Sequence, residues 1–248
     1  RDIMPAWSDS NLKSLTATLK SHLFLAHVRA STGTATSRNN CHPFAVGRWS
    51  FMHNGQFGGY DQYRRHADAL IPDDYYPHRK GATDSEALFL MALAEGLDHD
   101  PAGAMARATA KFEALARQRG TAPFVRLTAA FSDGQRLYAL RYASDDLAPT
   151  LYHRWSDGRG GRAVVSEPLE QDESDWLEVP PQSFCVFEGR EVSIRPFLPD
   201  AARPPDPMPM RRAVSVSARL SRAVAGSAPA RMPGPSPLPQ PDPAPAAV

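Results

Sequence analysis

The chain has 248 residues, 42% of them hydrophobic and 22% charged, with a formal net charge of +1. That is enough apolar material for one large domain or two small ones, and the near-neutral balance gives no electrostatic reason to bind nucleic acid or a membrane surface. No apolar run approaches the roughly 20 residues of a spanning helix, and no signal-peptide pattern opens the chain. Two cysteines, Cys41 and Cys185, stand far apart without CxxC or clustered His/Cys spacing, which argues against a disulfide framework or a structural zinc and fits a reducing cytoplasm.

Residue 1 is arginine rather than methionine, so the chain is not expected to begin at a natural translation start. SHLFLAHVR (21–29) is predicted as a strand, and so is RWSFMH (48–53), where Trp49, Phe51 and His53 alternate with Arg48, Ser50 and Met52. A helix is predicted from Thr83-Asp84-Ser85-Glu86, an S/T-x-x-E capping box, through Ala87, Leu88, Leu90 and Met91. A second is predicted over about 101–119, after Asp100-Pro101, with Met105, Ala108, Phe112 and Leu115 on one face and Gly120 at its end. The period then switches to two. FVRLTAAF (124–131), a Ser-Asp-Gly turn at 132–134 and RLYALRYA (136–143) read as a hairpin. TLYHRW (150–155), RAVVSE (162–167), SFCVFEG (183–189) and EVSIRPF (191–197) read as further strands, the last two meeting at Gly189-Arg190. Antiparallel strands around a helical block imply an α+β fold of sheets with helices packed against them.

Composition changes near residue 200. Half of the 24 prolines lie in 201–248, where six arginines oppose two aspartates. Such a stretch holds too few large apolar residues to offset the entropy of ordering it. The expected organisation is therefore a domain over 1–200 and a disordered, basic, solvated tail over 201–248.

Three segments carry chemistry: HVRASTG (27–33), FMHNG (51–55) and TDSE (83–86). Each also has a plain reading. His27 and Arg29 could line one face of a sheet, Asn54-Gly55 is the commonest two-residue hairpin turn, and Thr83 with Glu86 is an ordinary helix cap. Their order and combination favour more. HVRAST, NCHPF (40–44), FMHNG, GATDSEALF (81–89) and VSEPL (165–169) follow the order seen in the class II glutamine amidotransferases. Over about residues 20–190 the chain resembles that family, most of all its small stand-alone branch that includes γ-glutamyl hydrolases of thiol metabolism.

The resemblance implies an α+β fold, the αββα four-layer sandwich of the N-terminal-nucleophile hydrolases. It implies Asn54 and the Gly55 N–H as an oxyanion hole, Arg29 and Asp84 as the partners of glutamine's α-carboxylate and α-ammonium, and Thr32, Gly33 and His42 lining the pocket. His53 would be a structural neighbour rather than a base. The residue types suit these roles independently: a guanidinium fork pairs with a carboxylate, a carboxylate fixed at a helix start pairs with an ammonium, and an oxyanion needs preorganised donors. Glycine lets the backbone approach closely. Ala30 follows the motif arginine where glucosamine-synthase-like members carry an aromatic residue, which favours a simpler hydrolase. No metal or organic cofactor is indicated, and the expected partner is a small molecule, glutamine or a γ-glutamyl compound.

In the family the nucleophile is a cysteine at the mature N-terminus, whose own α-amine, with a pKa of about 7.7–8.0, serves as the base. Here 26 residues precede His27, and none is cysteine. The expectation is that the segment carrying the nucleophile is missing from this chain. Cys41, beside His42, lacks a free α-amine and its neighbour's side chain should point to the opposite face, and Cys185 reads as core. A non-catalytic γ-glutamyl-binding protein or regulatory subunit is the alternative. Missing strands would leave open edges and uncovered core, so the isolated chain is expected to be poorly stable or to aggregate.

Overall fold

The period-two segments build two antiparallel sheets. In the computed structural model, which describes residues 1–28, 36–121, 125–158, 160–169 and 175–199, the larger sheet has six strands. In chain order they are β1 (Phe44–Val46), β2 (Trp49–Phe57), β3 (Val125–Ser132), β4 (Leu137–Ala143), β8 (Ser183–Glu188) and β9 (Glu191–Pro196), and each pairs with the next. The smaller sheet sets β5 (Tyr152–Ser156) between β6 (Gly161–Val165) and β7 (Leu177–Glu178). Residues 201–248 lie outside the described residues, and so do Arg29, Thr32 and Gly33.

The β3–β4 turn forms where the Ser-Asp-Gly signal stands. The Asp133 carboxylate accepts the N–H groups of Gln135 (2.9 Å) and Arg136 (2.8 Å), the Ser132 hydroxyl accepts that of Gly134 (2.9 Å), and Gly134 adopts φ 87°. These short side-chain bonds stand in for the ladder bonds that the turn interrupts.

A helical layer packs on one face of the six-stranded sheet. It comprises α2 (Tyr60–Ala69), α3 (Asp84–Ala94) and α4 (Pro101–Gln118). From Ser85 to Leu93 every residue of α3 is buried, which makes it the central helix of the layer. Phe51 of β2 stacks on Phe89 of α3 at 5.4 Å, and Phe57 meets Phe112 of α4 at 4.7 Å. Met105, Ala108, Phe112 and Leu115 are all buried, as the period of α4 requires. A second core of Ala139, Leu151, Val179, Cys185 and Phe187 fills the other side, between the two sheets. The sequence of layers is thus helices, large sheet, small sheet. A separate helix, α1 (Ser10–Thr18), is capped by the Asp9 carboxylate and buries none of its residues.

Two local expectations change. Residues 21–28 form no strand ladder. They run as irregular chain, with His22 Nε2 bonded to the Gly134 carbonyl (2.9 Å) and His27 Nε2 to that of His53 (3.2 Å). Asn54-Gly55 is not a hairpin turn either, because both residues sit within β2, opposite Thr128 and Leu127 of β3. The capping box closes by half. Thr83 Oγ1 accepts the Glu86 N–H (3.2 Å), but the Glu86 carboxylate turns to the N–H groups of Lys80 (3.2 Å) and Gly81 (2.7 Å) and to Arg79 (2.9 Å). Arg79 wins that carboxylate because it is itself buried, and a buried guanidinium must be paired.

Candidate active site

β2 holds the centre of the site. Trp49, Phe51 and His53 alternate inward to the helices, as their spacing predicts. Asn54 points the other way: its cross-strand neighbours are Thr128 and then Arg141. Arg141 donates to Glu178 Oε1 and to the Val179 carbonyl, both at 2.6 Å, so this face is turned to the smaller sheet. Asn54, Gly55 and Gln56 are all exposed, a break in the alternation that begins at Gly55, where φ is 138°.

Gly55 is required there twice over. Its backbone lies in a region side chains rarely adopt, and a Cβ would run into the Arg126 carbonyl oxygen. The same notional Cβ would stand 2.9 Å from His53 Nε2. The space that Gly55 leaves empty is what lets the His53 ring reach the Arg126 carbonyl at 3.3 Å.

Among the described residues, the edge of β2 is open beside Asn54 and Gly55. β1 pairs only with Trp49–Phe51, and among the described residues no strand lies along Met52–Phe57 on that side. Within an antiparallel strand the N–H and C=O of one residue share a side, and the side alternates. The His53 carbonyl accepts from His27, and the Phe57 N–H donates to Asp84 Oδ2 at 3.0 Å. Both bonds leave β2 on the open edge, and Gly55 lies between them in the same phase.

Asp84 is carried there by the start of α3. Thr83 caps the helix, and Asn40 Oδ1 accepts the Ala82 N–H (2.8 Å), which fixes the approach of the chain. Asp84 Oδ1 accepts the Ser85 N–H (2.7 Å) while Oδ2 takes that of Phe57, so the carboxylate is tied both to the positive end of its helix and to the end of β2. Behind it, Ser85 Oγ stands 2.9 Å from His53 Nδ1 and 3.2 Å from Asp84 Oδ1. Burial pushes the His53 pKa down, and the Asp84 carboxylate pulls it partly back. The ring is therefore neutral near pH 7.

The structure brings Asn54, Gly55 and Asp84 to one end of β2. His42 is buried, its ring 4.2 Å from that of His27 and 4.7 Å from Phe44, so it joins the site by way of His27. Cys41 is half-buried, with its Sγ on the carbonyls of Ser37 (3.3 Å) and Asp2 (3.5 Å). Cys185 lies in the inter-sheet core, where burial pushes its thiol up to about 12. The expected roles of Arg29, Thr32 and Gly33 fall outside the described residues. Two contributors went unnoticed in the sequence: Ser85, read only as an inner position of a capping motif, and Asn40, quoted in NCHPF without a role. Ser166-Glu167-Pro168, just after β6, is a bend with Ser166 and Glu167 exposed.

Chemically, the arrangement offers a polar amide side chain and a backbone turned outward at a glycine, with a fixed carboxylate at the same strand end. Known proteins give it a family. The sequence model of the class-II glutamine amidotransferases matches residues 5–155. The probable glutamine amidotransferase DUG3 of Saccharomyces cerevisiae is 29% identical over 92% of this chain and 73% of its own length. The γ-glutamyl-hercynylcysteine sulfoxide hydrolase of Mycobacterium tuberculosis is also 29% identical, over 78% of this chain and 71% of its own. A solved glutamine aminotransferase class-II domain protein from Silicibacter pomeroyi is 54% identical, with a TM-score of 0.74 over 80% of this chain and 85% of that one. The facing antiparallel sheets beside a helical layer are of the N-terminal-nucleophile type that the motifs imply, with three of its four layers present among the described residues.

Proposed function

The chain belongs to the class-II glutamine amidotransferases, and from that premise we propose that it works in the hydrolysis of a γ-glutamyl amide bond. The substrate is glutamine or a larger γ-glutamyl compound, and one product is glutamate. In this reading Arg29 pairs with the α-carboxylate, Asp84 with the α-ammonium, and Thr32, Gly33 and His42 line the pocket. A cysteine thiolate at the protein's N-terminus attacks the amide carbon, and its α-amine takes up and returns the proton. The carbonyl oxygen becomes an oxyanion received by Asn54 Nδ2 and the Gly55 N–H. The amine then leaves, and water releases glutamate from the thioester.

The observation that carries the reading is the tie between Asp84 and the Phe57 N–H. It holds a carboxylate at the strand end where Asn54 and Gly55 stand exposed. This reading assigns neither cysteine of the chain as nucleophile, and what supports that is the burial of Cys185 in the core, which raises its thiol pKa, and the contact of Cys41 Sγ with the Ser37 carbonyl. Two free thiols also suit a reducing cytoplasm as its setting.

The test is glutamate release from L-glutamine and from γ-glutamyl amides by the protein in its natural full length. Turnover by the wild type that collapses in Asn54→Ala supports the reading. Calorimetric binding of L-glutamine without turnover of any γ-glutamyl amide leaves a binding protein and overturns the hydrolase.

A further inference from the structure

His53 precedes the two oxyanion candidates, is buried, and has contacts that pose a proton-counting problem. Nε2 faces the Arg126 carbonyl oxygen at 3.3 Å, Nδ1 faces Ser85 Oγ at 2.9 Å, and Ser85 Oγ faces Asp84 Oδ1 at 3.2 Å. Three contacts call for three protons. A neutral imidazole and a hydroxyl supply two.

The carbonyl decides where they go. It can only accept, so the ring proton sits on Nε2 and Nδ1 is left as an acceptor. The Ser85 hydroxyl then donates its single proton to Nδ1 and has none for Asp84. Asp84 Oδ1 keeps the Ser85 N–H and Oδ2 keeps the Phe57 N–H. Of the roughly four acceptor positions on a carboxylate, two stay available.

We propose that His53 and Ser85 are positioning residues for Asp84: the neutral ring holds the Ser85 hydroxyl away from the carboxylate and so preserves its acceptor capacity for the ammonium group of the substrate. This rests on the proposed role of Asp84 as ammonium partner. Of the hydroxyl's two contacts, removing the ring leaves the one to Asp84 Oδ1, where it competes with the substrate. Other charged and titratable groups around the ring do not upset the count. Of the two charges on α3, Asp84 is the one in the count and Glu86 is engaged by Arg79 (2.9 Å), the Arg126 guanidinium is engaged by Asp145 (2.9 Å), and His27 bonds the His53 carbonyl rather than its ring.

The experiment is calorimetry with L-glutamine and with its analogue lacking the α-amino group, glutaric acid monoamide, on wild type, Asp84→Asn, His53→Leu and the double variant His53→Leu/Ser85→Ala. The preference for glutamine over the analogue is expected to fall about tenfold or more in Asp84→Asn, the order of a lost charge-assisted hydrogen bond. In His53→Leu it is expected to fall about 3–10-fold, and removing the competing hydroxyl in the double variant is expected to restore it. A purely structural role would not produce that rescue. If Asp84→Asn leaves the preference intact, or the wild type does not bind glutamine, the underlying reading of Asp84 fails. If Asp84→Asn lowers the preference and His53→Leu does not, or the double variant shows no recovery, the positioning role fails. Long-range 1H–15N NMR of the wild-type ring settles the matter independently of variant folding: an Nε2–H tautomer supports the proposal, and an Nδ1–H tautomer overturns it.

Discussion

Single atoms decide what Gly55 and its neighbours can do. Asn54 is exposed on β2 and its side chain is not part of the core, so Asn54→Ala should leave the thermal midpoint within about a degree or two of wild type. Its kcat in glutamate release should nevertheless fall by about 10²–10³, the usual loss for one oxyanion donor. Gly55→Ala is expected to behave differently. The methyl meets the Arg126 carbonyl at a φ that side chains rarely adopt, so a destabilisation of more than about 2 kcal/mol should appear in denaturant titrations. Much at this scale was legible in the sequence. The motifs single out Asn54, Gly55 and Asp84, and the structure places these three at one end of β2; their roles as oxyanion donors and ammonium partner are proposals. The ring of His53 was not legible: its partners Ser85 and Arg126 lie 32 and 73 positions away, and one-dimensional spacing carries no trace of such pairings.

At the scale of elements, the start of α3 is held by a buried charge cluster as much as by its cap. The Arg79 side chain is 5% exposed and pairs with Glu86, itself 4% exposed, and with Asp68, while also donating to the Thr83 carbonyl and the Tyr60 hydroxyl. Arg79→Met strands a buried carboxylate and should cost about 3–5 kcal/mol, whereas Thr83→Ala, which removes only a cap bond, should cost about 1 kcal/mol. Equilibrium unfolding of the two variants side by side checks the ordering. A larger loss for Thr83→Ala would refute the view that the charge cluster fixes this helix. The helices and strands with strong periodicity, α3, α4 and the β3–β4 hairpin, could be read from the sequence. α2 was missed, although Tyr60, Tyr63 and Ala67 mark its buried face at helical spacing, because Gly59 in a left-handed cap position offers no side-chain signal. Residues 21–28 misled for a physical reason: an apolar alternation shows that a segment can pair, and no ladder partner lies beside it among the described residues.

Two consequences belong to the whole molecule. The first concerns apolar exposure. Fifteen large hydrophobic side chains are exposed among the described residues, and eight of them, including Trp7 (78%) and Val28 (85%), lie in residues 1–28. Exposure concentrated in this way favours association, so the 248-residue chain at micromolar concentration is expected to self-associate in light scattering. A monodisperse monomer with a cooperative melt would contradict that. The second concerns pH. His53 and His153 both have pKa values lowered by burial, so their neutral forms contribute stability that is complete above the unfolded value of about 6.5. It is lost as pH falls through their lower folded values, because the unfolded chain then binds protons that the folded one does not. Calorimetric melting temperatures should accordingly be level between pH 7 and 8 and decline below about 6.5.

The architecture of facing sheets could be anticipated from the motif order, whereas the edge that β2 leaves open among the described residues depends on where β1 stops, opposite Phe51, which no motif encodes. That edge, with Gly55 and Asp84 beside it, is where the proposed chemistry stands or falls. The most direct measurement is glutamate release from γ-glutamyl amides by the natural full-length protein, wild type and Asn54→Ala in parallel. The account expects turnover by the wild type and a loss of about 10²–10³ in kcat, with little change in KM, in the variant. Equal turnover by both, or none by the wild type with any γ-glutamyl amide, would contradict it.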